Sequence, residues 1–502
     1  MSRLRAILSR PIVAILIVTA LGGVVRTWQL GSPGELIFDE AYYPKVGCIL
    51  IGGSDEYCRI DSNDEKFWRK DKWDVGSWVH PPLGKWSIGL GIKAFGMDPS
   101  GWRSATAAAG TAVVALTALL AWLLFSSVAW TYVAGLLMAV EHLNVVLSRT
   151  ALLDMHLELW VLAGFVLLVL DRRWLERRQA RVDRAEPDRD PGPRIYSPLW
   201  RPWRYAAGAA FGAATAVKWS GAIALAAALL LTLIWEIQRR HRSGTGWVGA
   251  AGRAMAREAL GVTLALLLLP ALIHLATWLP WLHHFDWDWA KWWDTQEGAY
   301  RFHFEGGLEE FKTDPESGSL VATHPYYARP WGWIILWRPI SFYFKDVGPE
   351  MRQILAIGNP LIFWASAFAL PFLVFVWRRF RDWRAGFILV AFLGQYLPWF
   401  RVSRPTFFFY VAPLTPFMLL AVVALLQRLS DSFLVVREPD GSVALHPDTG
   451  EPAISTAYVY RPFVWIYIAA AVLVFAWFWP ILTGGQISDL RYPTIVWFPG
   501  WI

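Results

Sequence analysis

The amino-acid sequence predicts an all-α polytopic membrane protein. Of its 502 residues, 55% are hydrophobic, and several apolar runs approach the ~20 residues that a membrane-spanning helix needs. The chain also contains 33 tryptophans, a residue that favours the boundary between lipid and water because its ring is apolar and its N–H is polar. Arginine clusters lie between some of the apolar runs, as expected for loops that stay in the cytoplasm.

We predict about 11 membrane-spanning helices. The fifth and sixth are short arms of a tight hairpin around Lys218, and their ends are the least sharply defined by the sequence. The predicted spans are residues 11–25, 103–125, 128–147, 155–170, 205–217, 221–235, 259–278, 360–377, 385–399, 406–426 and 462–480.

The distribution of charge predicts the orientation of these helices. Arg3, Arg5 and Arg10 precede a first apolar run that no small-residue cleavage site follows, which indicates an uncleaved anchor with a cytoplasmic N-terminus. A single membrane domain over residues 1–502 in the plasma membrane is therefore expected. Its predicted parts are two large outer loops (26–101 and 279–349), cytoplasmic loops (171–204, 378–384 and 427–461) and an outer C-terminal tail (481–502).

The first outer loop has two further features. Residues 83–95 are apolar but too short to span, and two lysines interrupt them, so we predict an interfacial helix along the outer leaflet. Cys48 and Cys58 are the only cysteines. On an oxidising face they could form a small disulfide, although two unpaired thiols are nearly as well supported by the sequence.

Several function classes lack support in the sequence. The net charge of +7 is accounted for by the basic inner loops, so no nucleic-acid partner is predicted. No phosphate-binding loop of the GxxxxGK[ST] type occurs, and no Cys/His spacing suggests a metal site. We therefore predict neither a metal nor a conventional cofactor.

Two adjacent carboxylates, Asp39 and Glu40, follow the first span at the predicted outer membrane edge. A carboxylate held there is partly desolvated and can act as a base or pair with a cation. A solvated loop end is the simpler alternative for an isolated Asp-Glu pair.

Seven cations on the predicted outer side argue against a simple solvated loop end at Asp39 and Glu40. One such arginine is usually an anchor whose charged end reaches the interface, but several together suggest a site for a lipid phosphate, which they could hold as it leaves. These cations are Arg103, Arg149, Lys218, Arg329, Arg338, Arg401 and Arg404.

Six short motifs, in order along the chain, resemble those of the protein O-mannosyltransferase family. Each is weak alone, and their order and spacing make the combination specific. They are F-D-E (38–40), H-P-P-L-G-K (80–85), S-R-T-A-L-L-D (148–154), K-W-S-G (218–221), R-P-W-G-W (329–333) and W-R-P-I (337–340).

This resemblance implies a glycosyltransferase type C fold and an inverting transfer of mannose. The donor would be polyprenyl-phosphate mannose, and the acceptors would be Ser or Thr of unfolded or translocating polypeptides, with the secretion translocon as one candidate partner. Eukaryotic members carry a β-trefoil module in the second outer loop, and residues 279–349 are too short for one, so the chain resembles a bacterial, actinobacterial member.

The resemblance also implies roles for individual residues. Asp39 matches the family's catalytic Asp and Glu40 matches its acidic neighbour, so both are expected to be catalytic residues. The remaining candidates are expected to bind the donor phosphate or the substrates: Arg103, Lys218, Arg329, His80, Arg149 and Asp154.

Two other functions are compatible with the sequence. Another type C glycosyltransferase could add a sugar to a lipid or glycan acceptor. A lipid transporter or flippase belongs to a different class, but such proteins place charges at mid-membrane and often have internal repeats. Here the charges lie at one face and no repeat is visible.

Overall fold

The structure is a computed structural model in which helices predominate. It describes residues 6–60, 73, 78–185, 197–304, 311–313, 320–322, 324–402, 404–432, 442 and 460–501. Most of the predicted cytoplasmic loop 427–461, and residues 186–196 of the loop 171–204, lie outside the described residues.

The helices are numbered here in chain order. In the first half they are α1 (Pro11–Thr27), α2 (Tyr43–Leu50), α3 (Asp55–Cys58), α4 (Leu83–Phe95), α5 (Pro99–Phe125), α6 (Val128–Ala139), α7 (His142–Ser148), α8 (Leu153–Ala185), α9 (Pro202–Val217) and α10 (Gly221–Arg242). In the second half they are α11 (Trp247–Thr263), α12 (Leu269–Thr277), α13 (Leu279–His284), α14 (Trp289–Phe304), α15 (Pro330–Ile334), α16 (Pro360–Phe380), α17 (Trp383–Tyr396), α18 (Thr415–Ser430), α19 (Arg461–Thr483) and α20 (Tyr492–Ile495).

Every predicted span overlaps one or more of these helices. Among the described residues, seven helical segments are long and apolar enough to cross a membrane, or eight if the bent pair α6 and α7 counts as one span. Helix α1 is apolar but shorter, and α9 and α17 have only 16 and 14 residues. The multi-pass architecture is therefore confirmed, whereas the predicted number of 11 spans is not.

The predicted span 128–147 is not one straight helix. It breaks between α6 and α7, which differ in direction by 60°. The buried Glu141 lies at the break, where its carboxylate accepts hydrogen bonds from the backbone N–H groups of Leu143 (3.2 Å), Asn144 (2.7 Å) and, from a distant loop, Asn359 (3.0 Å). The carboxylate thus replaces helical hydrogen bonds that a continuous helix would have made.

The prediction of a loop without a core at 171–204 is wrong in its first part. Helix α8 continues without interruption to Ala185 and has 33 residues, more than the ~20 that a membrane-spanning helix needs. Asp171 is buried and forms a salt bridge with Arg201. Arg201 also contacts Glu236 (2.6 Å), and paired charges of this kind can be buried where single ones cannot.

The second large loop and the C-terminal tail contain strands that the all-α prediction missed. Strands β1 (Phe311–Thr313) and β2 (Leu320–Ala322) form one antiparallel pair. Strands β3 (Ile340–Asp346), β4 (Glu350–Ala356) and β5 (Gln486–Ser488) form an antiparallel sheet in the order β3-β4-β5. Because β5 belongs to the tail, the tail folds back onto the second loop.

Close helix packing positions the first loop. The predicted interfacial segment 83–95 is helix α4, which packs against α2 and α5. At the crossing of α2 and α4, a Cβ on Gly47 would lie 2.7 Å from the Lys85 carbonyl oxygen. Glycine is therefore needed there for the two backbones to approach, and this contact holds the segment that follows Asp39 against the bundle.

Candidate active site

The segment that carries Asp39 is anchored by a buried ion pair. Asp39 and Glu40 belong to a short 3-10 helix, Phe38–Ala41. The Glu40 carboxylate faces the Arg103 guanidinium, which donates from Nε to Oε1 and from Nη2 to Oε2, both at 2.8 Å. Glu40 also accepts from the backbone N–H groups of Ile37 (3.1 Å) and Ala151 (2.8 Å). The loop is thereby tied to α5 and to the turn before α8.

All the N–H donors of Arg103 are engaged within the protein. Besides its two bonds to Glu40, the guanidinium donates to the carbonyl oxygens of Leu30 (3.2 Å), Pro33 (2.8 Å) and Glu35 (3.0 Å). An arginine has five such donors, so none is left for a phosphate. This geometry revises the expectation for Arg103 and Glu40: they position the loop, and neither presents a free group to a substrate.

Asp39 lies beside this anchor, only partly exposed. Burial raises its pKa to about 6; the nearby Lys218 lowers it, Asp154 raises it, and a hydrogen bond from the buried Tyr43 hydroxyl lowers it. The pKa of the Tyr43 phenol is itself well above its usual value, mainly because of burial, so Tyr43 stays a donor. Asp39 is therefore a carboxylate that can take up a proton near neutral pH.

A second ion pair faces Asp39. Lys218 follows α9 at the turn into α10, and its Nζ lies 2.9 and 2.8 Å from the two carboxylate oxygens of Asp154 at the start of α8. The same ammonium lies over the rings of Phe409 (5.7 Å) and Tyr410 (5.4 Å). The structure thus brings together three of the predicted site residues, which are 179 positions apart in sequence at their extremes (218 − 39).

A cavity of about 470 Å³ opens next to this pair. Its walls are mostly aromatic and aliphatic, and its polar groups include two further cations, Arg401 and Arg404. Arg404 donates from Nη2 to the Tyr410 hydroxyl (2.8 Å), which orients the guanidinium. An apolar cavity with a few convergent cations suits an anion that carries an apolar or sugar substituent.

Two histidines also line the cavity. The His80 and His303 rings lie 5.2 Å apart, and His303 Nε2 bonds with the carbonyl oxygen of Val79 (2.8 Å). Burial holds the pKa of His80 well below its usual value and lowers that of His303 to about 4, with nearby cations adding to both effects. Both rings are therefore neutral at neutral pH. Within the described part of the chain, Nδ1 of His80 is buried without a hydrogen-bond partner.

The remaining predicted residues lie away from the cavity. Arg149 caps the end of α1, donating to the carbonyl oxygens of Arg26 (3.2 Å), Trp28 (2.6 Å) and Gln29 (3.2 Å). Arg329 is exposed just before α15 and is not among the residues that line the cavity. Neither geometry favours the substrate contact that was expected of these two arginines.

Cys48 and Cys58 are joined by a disulfide, with their Cα atoms 5.7 Å apart. The bond ties the end of α2 to α3, downstream of Asp39. The sequence left open whether the two cysteines are bonded or free, and in the structure they are bonded. As for metals, no cluster of three or more His, Cys, Asp or Glu side chains with metal-binding geometry occurs among the residues described.

Sequence reasoning did not select several residues of this site. Arg401 and Arg404 were noted only as cations on the outer side, and Tyr43, His303 and Tyr410 were not singled out. The excess of outer cations was the available signal for the two arginines. The aromatic and histidine side chains come together only because distant segments pack against each other, and no local sequence pattern predicts such contacts.

The family of this chain follows from its similarity to known proteins. Residues 78–286 match the family model described as dolichyl-phosphate-mannose-protein mannosyltransferase, and residues 289–501 match the C-terminal four TMM region of protein-O-mannosyltransferase. The chain is also 30% identical to the polyprenol-phosphate-mannose–protein mannosyltransferase of Mycobacterium tuberculosis, over 97% of this chain and 91% of the relative. This chain belongs to the protein O-mannosyltransferase family.

Further relatives are consistent with that assignment. The protein with the same name from Corynebacterium glutamicum is 28% identical over 97% of this chain and 91% of the relative. As a family member, the chain is a membrane-embedded glycosyltransferase. Its sequence match to actinobacterial mannosyltransferases confirms the resemblance that the short motifs indicated.

Solved structures identify the fold as glycosyltransferase type C. The S. cerevisiae protein O-mannosyltransferase Pmt1-Pmt2 complex bound to the sugar donor matches with a TM-score of 0.66 at 13% identity, over 100% of this chain and 94% of that one. The Archaeoglobus fulgidus oligosaccharyltransferase matches with a TM-score of 0.51 at 12% identity, over 97% of this chain and 57% of that one. At these identities the likeness concerns the fold alone.

Proposed function

We propose that this protein transfers mannose from polyprenyl-phosphate mannose to Ser or Thr hydroxyl groups of polypeptides, with inversion at the anomeric carbon. The proposal rests on the partly buried carboxylate of Asp39. The Glu40–Arg103 pair holds its segment in place, and Lys218 and a cation-lined cavity lie next to it. The actinobacterial relatives are named for this donor and for protein acceptors.

The cavity is the proposed binding site for the mannosyl phosphate. Lys218, Arg401 and Arg404 line it and supply the positive charge. Lys218 keeps the role predicted for it, and Arg401 and Arg404 take the place of Arg103, Arg149 and Arg329 as proposed phosphate contacts. Because Lys218 is already paired with Asp154, a phosphate would share that ammonium with a carboxylate. Arg404 and the exposed Arg401 are therefore the stronger anion contacts.

His80 is a proposed contact for the sugar. Its ring is neutral, lines the cavity and has a buried Nδ1 without a partner among the described residues. A buried polar atom without a hydrogen bond is costly. A hydroxyl of the bound mannose would supply the missing partner, and a neutral ring does so without repelling the neighbouring cations.

Asp39 is the proposed general base. Inversion requires the acceptor oxygen to attack from the face opposite the departing phosphate, and a base on that face removes its proton. The new bond joins the Ser or Thr oxygen to the anomeric carbon as the bond from that carbon to the phosphate oxygen breaks. The proton passes to Asp39, and the departing phosphate is stabilised by the cationic side chains.

We further propose that the cationic side chains make a divalent metal unnecessary. The phosphate leaves without needing a proton, so the site has only to balance its developing charge. Transfer measured with excess chelator should equal transfer without it. A loss of activity that added Mg²⁺ or Mn²⁺ restores would contradict this part of the proposal.

We infer that the active site faces outward from the plasma membrane, with the N-terminus inside and the C-terminus outside. Support comes from the predicted spans and the positive-inside rule. The two native cysteines are bonded to each other, so an introduced cysteine would be the sole free thiol. With an impermeant maleimide on intact cells, Leu490→Cys should react and Val248→Cys should not; both side chains are about 90% exposed (90% and 89%). The reverse labelling would overturn the orientation.

The outward orientation also defines the proposed acceptors. They are unfolded or translocating polypeptides that emerge at the outer face, with the secretion translocon as a candidate partner. The deciding assay supplies purified protein in membranes with radiolabelled polyprenyl-phosphate mannose and a Ser/Thr-containing peptide. Labelled peptide is expected. Label that enters only a lipid or glycan would favour a glycosyltransferase of another acceptor class, and donor movement across the bilayer without transfer would indicate a flippase.

A further inference from the structure

An arginine-rich cavity of about 720 Å³ lies at the opposite end of the helix bundle from Asp39. It forms beside the last turns of α8, the connection from α16 to α17 and the end of α18. Five of its lining residues are arginines: Arg173, Arg177, Arg381, Arg384 and Arg428.

The carboxylates of this cavity leave much of the positive charge unbalanced. Asp382 accepts from Arg384 Nη2 (2.8 Å) and Arg428 Nη2 (3.0 Å), which fixes those two guanidinium groups. The other carboxylate, Glu176, pairs with Arg172 (3.0 Å), which is not a lining residue.

Two of the five arginines remain available to a ligand. Arg177 and Arg381 are exposed, and neither forms a salt bridge within the described residues. With Asp382 already shared between two arginines and Glu176 paired elsewhere, the cavity presents a surplus of guanidinium groups. Guanidinium groups pair bidentately with phosphate oxygens, so a phosphate is the matching ligand.

Apolar surface adjoins this charge. Leu124, Phe380 and Trp383 line the cavity itself. Along α16, Phe368 and Phe375 are 75% and 57% exposed, on a helix that is apolar enough to span a membrane. A ligand with a charged head and an apolar tail could therefore place its head among the arginines and its tail along α16.

The cavity is separate from the proposed active site. Asp154 and Arg173 lie on the same helix, α8, 19 residues apart (173 − 154). At 1.5 Å per residue the separation is roughly 28 Å, close to the ~30 Å thickness of the hydrocarbon core of a bilayer. The arginine cavity thus lies at the other membrane interface, out of reach of a substrate bound beside Asp39.

We propose that this cavity binds the phosphate head group of an anionic phospholipid, whose acyl chains lie along α16. Basic pockets between transmembrane helices bind anionic head groups in this way. Free inorganic phosphate shares the charge but would gain nothing from the apolar face of α16, so the structure favours the lipid.

The test uses the full-length protein, purified in detergent and titrated with phosphatidylglycerol or phosphatidylcholine of identical acyl chains. Bound lipid is counted by native mass spectrometry. The test variant is Arg177→Gln/Arg381→Gln, which breaks no salt bridge among the described residues. The matched control, Arg242→Gln/Arg257→Gln, removes the same charge from exposed positions on α10 and α11 outside the cavity.

Phosphatidylglycerol should bind the unmodified protein in preference to phosphatidylcholine. The Arg177→Gln/Arg381→Gln variant should bind phosphatidylglycerol about 25-fold more weakly, since each of the two arginines contributes roughly a factor of five near an anionic lipid. The control should bind it normally, and millimolar inorganic phosphate at constant ionic strength should not displace it.

Three results would overturn the proposal. Equal affinity for the two lipids would remove the requirement for an anionic head group. Equal weakening in the test and control variants would show that overall charge, and not this cavity, attracts the lipid. Displacement by inorganic phosphate would assign the cavity to a free anion.

Discussion

The hydrogen bond from Tyr43 to Asp39 should move the acid limb of the pH–rate profile to lower pH, against the larger effect of burial. Asp39 acts as a base only when ionised, and its pKa is about 6, so kcat/KM should fall as the pH drops below about 6. The Tyr43 hydroxyl stabilises the ionised form and thereby lowers the pKa of Asp39. The Tyr43→Phe substitution removes that hydroxyl and should raise the pKa.

The size of the shift follows from the strength of the bond. A hydrogen bond to a charged group contributes about 1.5–3 kcal/mol, and one pKa unit corresponds to about 1.4 kcal/mol. Allowing for a water that partly replaces the hydroxyl, we expect a shift of about one unit, from about 6 to about 7. The ionised fraction at pH 6 would then fall about fivefold, whereas at pH 8 it would change by only about 10%.

The assay is mannose transfer to a Ser/Thr peptide at subsaturating substrate between pH 5 and 8. Tyr42→Phe serves as the control, because the neighbouring Tyr42 side chain is 54% exposed. It should leave the acid limb in place. An acid limb for Tyr43→Phe that coincides with that of the unmodified protein would refute the reasoning, because Asp39 would then not be the titrating base or Tyr43 would not control it.

Further predictions concern the two ion pairs and the cavity. Breaking the buried Glu40–Arg103 pair by Arg103→Gln should cost about 3–5 kcal/mol of stability, measured by thermal unfolding in detergent. The double variant Glu40→Gln/Arg103→Gln should recover part of the lost stability, because no buried charge is then left unpaired. If the double variant is no more stable than Arg103→Gln, the two side chains do not stabilise the fold as a pair. Arg404→Gln should raise the donor KM about tenfold through the loss of a charge-assisted contact, while Arg257→Gln should not; equal KM values would remove Arg404 from the donor site. Lys218→Met should lower kcat, and it should also destabilise the fold because Asp154 is left unpaired. A fully active and stable variant would exclude Lys218 both from catalysis and from a stabilising ion pair.

Composition and segment length were enough to predict the multi-pass helical fold. A run of about 20 apolar residues has few alternatives to a helix in lipid, because every backbone hydrogen bond must be made within the segment. The break between α6 and α7 was less visible. Glu141 within an apolar run was a signal, but whether it breaks the helix depends on the backbone N–H groups, including that of Asn359, that it meets only after folding.

In the candidate site, the sequence identified charged residues but not which of them face a ligand. Asp39, Lys218 and Asp154 were selected by motif and lie together, as a phosphate-handling site requires. Arg103 was also selected, yet all its donors are taken by Glu40 and by three carbonyl oxygens of the preceding loop. A sequence shows that a cation is present, but only the tertiary contacts decide whether it faces the ligand or the protein.

Hydropathy could not predict the short strands or the pairing of the tail with the second loop. Strand β5 is three residues long and pairs with β4 across a separation of 138 residues, as in Glu350 opposite Ser488 (488 − 350). Such short pairings depend on the tail being brought to the second loop by α19. Local propensity carries little information about strands of this length.

The central claim is that Asp39 removes the proton from the acceptor hydroxyl. Asp39→Asn keeps the size of the side chain and much of its hydrogen bonding but cannot accept a proton. In correctly inserted protein, its kcat for mannose transfer should fall about 100-fold or more while donor binding is largely kept. The control Asp489→Asn changes an exposed carboxyl on the tail and should have full activity. If Asp39→Asn transfers mannose at nearly the rate of the unmodified protein, Asp39 is not the base and the mechanism is wrong.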